Sequence, residues 1–227
     1  MKLLITLLLC APLVFGQVYR VENVTGKVKA LIGASESWVD VQPGMELKPT
    51  TMIMTDASST ISVSGESVRF TLRPSAVLNV GSIKKMTLDD LLLALALEEI
   101  LTAPRKEDNG KARNTVIYGA PAGKAVPGSK SLDELGQLKL NGARQLAENG
   151  FENSGLVAAK ETFRQYPGTR ARISDRLYFA DLLYSMKLNE EAYSEYNEIL
   201  KLKVSAEERR VITEKLGEIK KKLSGLN

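Results

Sequence analysis

The stretch Thr60-Ile61-Ser62-Val63-Ser64-Gly65-Glu66-Ser67-Val68-Arg69-Phe70-Thr71-Leu72-Arg73-Pro74-Ser75-Ala76-Val77-Leu78-Asn79-Val80 decides the fold of the N-terminal part. Ile61 and Val63 alternate with serines. Val68, Phe70 and Leu72 alternate with Arg69 and Thr71, and Leu78 and Val80 flank Asn79. Successive side chains on a strand point to opposite faces, so this pattern buries one face and wets the other. Ser64-Gly65-Glu66 and Arg73-Pro74-Ser75 are the turns between the runs.

Upstream the same pattern repeats over 24–31, 38–41 and 52–55, with turns at Gly26-Lys27, Pro43-Gly44 and Asp56-Ala57-Ser58-Ser59. Short strands at near-regular spacing predict a small all-β sandwich or barrel. Downstream the character changes. Leu88-Asp89-Asp90-Leu91-Leu92-Leu93-Ala94-Leu95-Ala96-Leu97-Glu98-Glu99-Ile100-Leu101 is made of strong helix formers. Thr87 caps it with Asp90 at the third helical position, and Pro104 stops it. This helix is apolar on much of its circumference, so it should dock on the β part or the helical part. At this length, with four acids, it does not suit a membrane.

Residues 104–131 read as a linker, punctuated by Asn109-Gly110, Pro121 and Pro127-Gly128, with one short strand at Thr115-Val116-Ile117-Tyr118. From Leu132 onward the periodicity predicts helices over 132–148, 154–166, 171–186, 189–202 and 205–223. Their short connections make neighbours antiparallel, and Ser205 with Glu208 forms a capping box. The expected fold class is therefore α+β: an all-β N-terminal part (17–86), a connecting amphipathic helix (87–103), the linker, and an all-α part (132–227).

The chain opens with Lys2 and an apolar run from Leu3 to Gly16. Val14 and Gly16 stand at the −3 and −1 positions of a cleavage before Gln17, so 1–16 reads as a cleavable secretory signal peptide. Two alternatives fit less well. Pro12 interrupts a run shorter than the roughly 20 residues of a membrane anchor, and Leu9 before Cys10 departs from a lipoprotein site. The expected location is periplasmic or secreted, with no transmembrane segment in the mature chain.

Composition narrows the chemistry. The sequence has no histidine and one cysteine, Cys10, which lies in the leader. The mature chain thus has no disulfide, thiol nucleophile, imidazole metal site or Ser-His-Asp triad. A net charge of +4 with both signs interspersed does not point to nucleic acid. A serine–lysine hydrolase needs neither histidine nor cysteine, but no Ser-x-x-Lys heads a helix convincingly. Asn23-Val24-Thr25 matches a glycosylation sequon by chance. Asp89-Asp90, Glu98-Glu99 and Glu190-Glu191 are adjacent pairs, which on a helix point apart and read as solvated. Lys220-Lys221-Lys222 complements the last helix dipole. No catalytic residue, metal or cofactor is expected.

Two resemblances follow from particular residues. Val24-Thr25-Gly26-Lys27-Val28, Trp38-Val39-Asp40-Val41-Gln42-Pro43-Gly44-Met45-Glu46-Leu47, Met52-Ile53-Met54-Thr55 and Val68 to Leu78 carry the first. In that order they resemble the extracytoplasmic FecR-like domain named for the ferric-citrate signalling family. Signalling members have a cytoplasmic region and a membrane span before this domain; here a signal peptide precedes it. The resemblance thus implies an envelope interaction or sensing module, without regulation of a sigma factor. The second lies in the helices. Laid over one another, Leu140, Ala143, Leu146 and Phe163 map onto Leu177, Ala180, Leu183 and Leu200. With Ala192 and Tyr196 at the small and aromatic positions, the second unit resembles a tetratricopeptide repeat; an unrelated helical bundle is the alternative. The first unit is degenerate, with Gly155 and Ala159 in those places. The repeat would present its first helices as a groove, with Gln137, Arg144, Glu148, Asp181, Tyr184 and Ser185 on that face. The alternative is that so short an array packs against its own β part.

These readings add up to a non-enzymatic exported envelope scaffold. Its partners would be envelope proteins or peptide segments, or cell-wall polymer. The alternative is an extracytoplasmic sensor whose β part binds a small molecule or glycan.

Overall fold

The computed structural model describes residues 18–33, 37–102 and 131–225. The expected signal peptide at 1–16 and the strand expected at 115–118 lie outside the described residues. The fold is α+β, as the sequence leads one to expect. Strands β1 (Tyr19–Thr25), β4 (Glu46–Leu47), β6 (Thr60–Ser64) and β7 (Arg69–Leu72) form one antiparallel sheet in the order β4-β1-β6-β7. Strands β2 (Val28–Leu31), β3 (Trp38–Asp40), β5 (Met52–Thr55) and β8 (Ala76–Asn79) form the second, in the order β3-β2-β5-β8. The sheets stack as a sandwich and do not close into a barrel. Between them lie Tyr19, Val21, Ile61, Val63, Phe70 and Leu72 from the first sheet and Val28, Ala30, Ile53 and Leu78 from the second.

The turn between β1 and β2 needs its glycine. Gly26 has φ +71°, and a Cβ there would stand 2.5 Å from Ser59 Oγ, the atom that accepts the Lys27 backbone N–H at 2.8 Å. Two strands extend the sequence reading. β1 starts at Tyr19, where a register shift between Val21 and Asn23 breaks the two-residue period. β4 is only two residues long, too short to show a period.

The two sheets differ on their outer faces. The first is polar, with Ser62 and Thr71 hydrogen-bonded at 2.9 Å and Arg69 paired with Glu22. The second is apolar inside and, around Met54 and Val77, apolar outside as well, while Lys29 and Asp40 pair at 3.5 Å farther along the outer face. Met54 and Val77 are buried with Leu135, and Trp38, Met52, Leu138 and Tyr166 pack around them.

What covers that face is α2 (Leu132–Glu148), capped by Ser131, whose Oγ accepts the Glu134 N–H at 3.1 Å. It runs along the side where β7 and β8 are both edge strands. Asn141 Nδ2 donates to the Ser75 carbonyl (2.8 Å) and the Arg73 backbone N–H to Gln145 Oε1 (2.6 Å), so the β7–β8 turn has its polar groups satisfied by the helix. Gly142 lies directly on β8: a Cβ there would be 3.0 Å from the Val77 carbonyl carbon and nearer still to its oxygen. Leu146 and Phe151 then enter the sandwich core, where Phe151 meets Phe70 edge-on with centroids 6.0 Å apart.

The remaining helices are α1 (Leu88–Thr102), α3 (Glu152–Gln165), α4 (Ile173–Ser185), α5 (Asn189–Leu200) and α6 (Ala206–Leu223). They share a second core of Leu140, Ala143, Leu156, Phe179, Ala180, Leu183, Ala192, Tyr196, Ile212 and Ile219, which Leu91 of α1 also joins. Gly155 of α3 lets the α2 backbone come close, since a Cβ there would be 2.6 Å from the Ala143 carbonyl oxygen. Both expected caps form. Thr87 and Asp90 exchange bonds at the head of α1, and Ser205 and Glu208 do so at the head of α6.

Candidate partner-binding groove

Helix α1 carries apolar residues round its whole circumference, a composition that suits a helix covered on every side. Among the described residues only one side is covered. Leu91 is fully buried and Leu95 partly, against the core of α3 and its neighbours. Leu93 is 73 % exposed, Ile100 71 % and Leu97 54 %. Among the described residues no helix is long and apolar enough to cross a membrane.

The docking of α1 is held by polar contacts at both ends. Ser154 Oγ donates to the Lys84 carbonyl (2.6 Å) and Asn153 Nδ2 to the Met86 carbonyl (2.8 Å) just before the helix. Near its C-terminus Arg164 of α3 donates from Nε (2.7 Å) and Nη2 (3.3 Å) to the two oxygens of Glu98. That hydrogen bond, with the Glu98 charge behind it, holds Arg164 still more firmly protonated.

Between α1 and α5, above α3, lies an open cavity of about 570 Å³. Leu92, Leu95, Ala96 and Phe163 make its apolar lining, and Glu99, Glu190 and Glu191 stand on its walls. Its floor is an ion-pair network. Glu195 accepts from Lys160 Nζ at 2.8 Å and from Arg176 Nε at 2.6 Å. Burial pushes the Glu195 carboxyl up, but the charges of Lys160 and Arg176 outweigh it, so the carboxyl titrates below its usual range. This fixes the sign of one pH effect. A carboxylate with a lowered folded-state pKa stabilises fully above its unfolded value and loses that contribution as pH falls through the folded one. The urea midpoint of the protein should therefore drop below about pH 4.3, and Glu195→Gln should flatten that acid limb. An unchanged limb in the variant would remove Glu195 from the acid transition.

The six residues proposed from sequence fall into separate settings. Gln137 is exposed on α2. Arg144 donates to Asp175 (3.0 Å) and lies 4.3 Å from the Tyr178 ring centroid. Glu148 pairs with Arg73. Asp181 accepts from both Tyr196 and Lys215. The Tyr184 hydroxyl donates to Glu218 (2.8 Å) and accepts from Lys222 (2.7 Å), whose ammonium sits over the ring. Ser185 Oγ donates to the Leu182 carbonyl (2.7 Å). Arg144 and Glu148 of α2 thus engage α4 and the β7–β8 turn, whereas Asp181 engages α5 and α6 and Tyr184 engages α6. The groove beside α1 was not among the sequence-derived sites. Its one signal there is the all-round apolarity of 88–101.

Comparison with protein-family models, curated proteins and solved structures finds no match to this chain. Among the described residues no group of three or more histidine, cysteine or acidic side chains is arranged to hold a metal ion.

Proposed function

We propose that this protein is a non-enzymatic binding protein of the cell envelope that holds a segment of a partner protein against α1 and its groove. The observation that carries the reading is the half-covered state of α1: Leu93, Leu97 and Ile100 stand open beside a cavity lined by Leu92, Leu95 and Phe163. A contiguous exposed apolar surface of this kind on a folded protein marks an interaction site. The signal-peptide reading of 1–16 supports an envelope location. The resemblances to a FecR-like domain and to a tetratricopeptide repeat support a role in interaction over one in chemistry.

Photo-crosslinking in intact cells tests this reading. A photoreactive residue at Leu97 or Ser194 should give discrete adducts, whereas one at Ser62, on the polar face of the first sheet, should give none. Adducts of equal yield at Ser62, or none at Leu97 and Ser194, would contradict it. The triple variant Leu93→Gln, Leu97→Gln, Ile100→Gln should abolish the Ser194 adduct while leaving stability within about 0.5 kcal/mol, because these side chains bury little and glutamine is a good helix former.

A further inference from the structure

We infer that the segment held on α1 is a cationic amphipathic helix, an inference that rests on the α1 groove as a binding site and adds the chemistry of its occupant. Three observations lead there.

The first is the shape of what is left uncovered. Leu93, Leu97 and Ile100 are spaced by four and three residues, so they form one stripe along α1. Leu92 and Ala96 continue the apolar surface round to the groove. A helix has already used its own backbone donors and acceptors, so it offers no edge to which a strand could pair. Recognition must run through side chains, and ridge-into-groove packing of a second helix satisfies that.

The second is charge. Helix α1 contains Asp89, Asp90, Glu98 and Glu99 and not one lysine or arginine. Glu98 is neutralised by Arg164, and Asp90 is tied to Thr87 with Lys84 nearby. Asp89 and Glu99, and Glu190 and Glu191 across the groove, make no ion pair among the described residues. The cations that line the groove are already engaged. Lys160 and Arg176 bind Glu195, Arg164 binds Glu98, and Arg170 donates to the Phe163 carbonyl. Among the described residues that line the groove, six acids (Glu98, Glu99, Glu190, Glu191, Glu195 and Glu198) stand against four cations (Lys160, Arg164, Arg170 and Arg176), so the site is net negative.

The third is how this charge treats the other possible covers. An anionic lipid surface would meet acids at both ends of the stripe. A second copy packing α1 on α1 would bring acids onto acids in either orientation. A helix with leucine-type residues on one face and lysine or arginine on its flanks meets the apolar stripe and the free carboxylates together.

The test uses the full mature chain and defined probes. Two labelled peptides of about eighteen residues, enough to match the length of α1, carry the same leucine face, one with lysine flanks and one with glutamate flanks. Fluorescence anisotropy should show the leucine–lysine peptide binding about tenfold or more tighter than the leucine–glutamate peptide. That preference should fade as salt is raised towards 1 M, where the screening length shrinks to about 3 Å. Glu99→Gln, Glu190→Gln and Glu191→Gln together should weaken only the lysine peptide, and the Leu93/Leu97/Ile100 glutamine triple should abolish binding of both.

Equal binding of the two peptides, lost in the α1 triple, would leave the groove as a binding site and overturn its cationic preference. Binding of neither would overturn both. A dimer in sedimentation that the α1 triple converts to monomer would overturn the inference in favour of a second copy. Uptake onto phosphatidylglycerol-containing vesicles that the α1 triple removes would overturn it in favour of a lipid surface. Peptide binding that appears only when residues 103–130 are replaced by a glycine–serine linker would assign the cover to this chain itself and overturn it as well.

Discussion

Gly142→Ala should destabilise the protein by about 2–3 kcal/mol, while Gly217→Ala should stabilise it by up to about 1 kcal/mol. Both glycines lie inside helices, at positions where alanine is the better helix former. At Gly217 in α6 a Cβ meets nothing within 4 Å, so only the propensity gain remains. At Gly142 the Cβ would press on the backbone carbonyl of Val77. Backbone cannot swing aside as a flexible side chain can, so α2 must move off β8. That displacement strains the bonds from Asn141 to Ser75 and from Arg73 to Gln145, and it pulls Leu146 out of the sandwich core. Urea denaturation of the two variants against the parent reads the sign directly. A stabilised Gly142→Ala protein would mean that α2 does not lie on β8 as described.

Glu195→Ala should cost about 3 kcal/mol, the other large effect, because it leaves two partly buried cations, Arg176 at 12 % and Lys160 at 27 % exposure, without their counter-ion. The side chains of Glu195 and Arg176 are each only 12 % exposed, so water replaces the lost partner poorly. The companion variant separates pairing from packing. Changing Glu195, Lys160 and Arg176 together to methionine removes all three charges at similar volume and should recover most of the loss. Equal destabilisation by both variants would show that the network acts through shape and not through charge. Thermal or urea unfolding at neutral pH suffices, and the result bears on the groove because these residues form its floor.

Much of the architecture was legible in the sequence because local chemistry and tertiary setting agree. The alternation in 60–72 matches a sheet whose outer face is wet, and Ser205 with Glu208 forms the capping box that its spacing implies. The departures have physical causes. A bulge after Val21 hides the period of β1. Met52-Ile53-Met54 and Ala76-Val77-Leu78 are continuous apolar runs, the pattern of strands buried on both faces, and α2 is what buries the second face. Gly142, a poor helix residue by propensity, is explained only by the strand beneath it.

The groove was the least legible feature. Periodicity indicates direction only when a helix has a polar side, and α1 has none to speak of. Its orientation is set by contacts distant in sequence, such as Arg164 with Glu98 and Asn153 with the Met86 carbonyl. The polar residues Arg144, Asp181 and Tyr184 looked available for the same reason: their partners Asp175, Lys215 and Glu218 lie in other helices.

Side-chain footprinting of the full mature chain with a photoactivated carbene tests the α1 binding surface most directly. Leu93, Leu97 and Ile100 should label strongly in the free protein and become protected when the leucine–lysine peptide is added, while Leu91 stays unlabelled throughout. Weak labelling of the three residues in the free protein, or labelling that the peptide leaves unchanged, would contradict an open partner-binding face on α1.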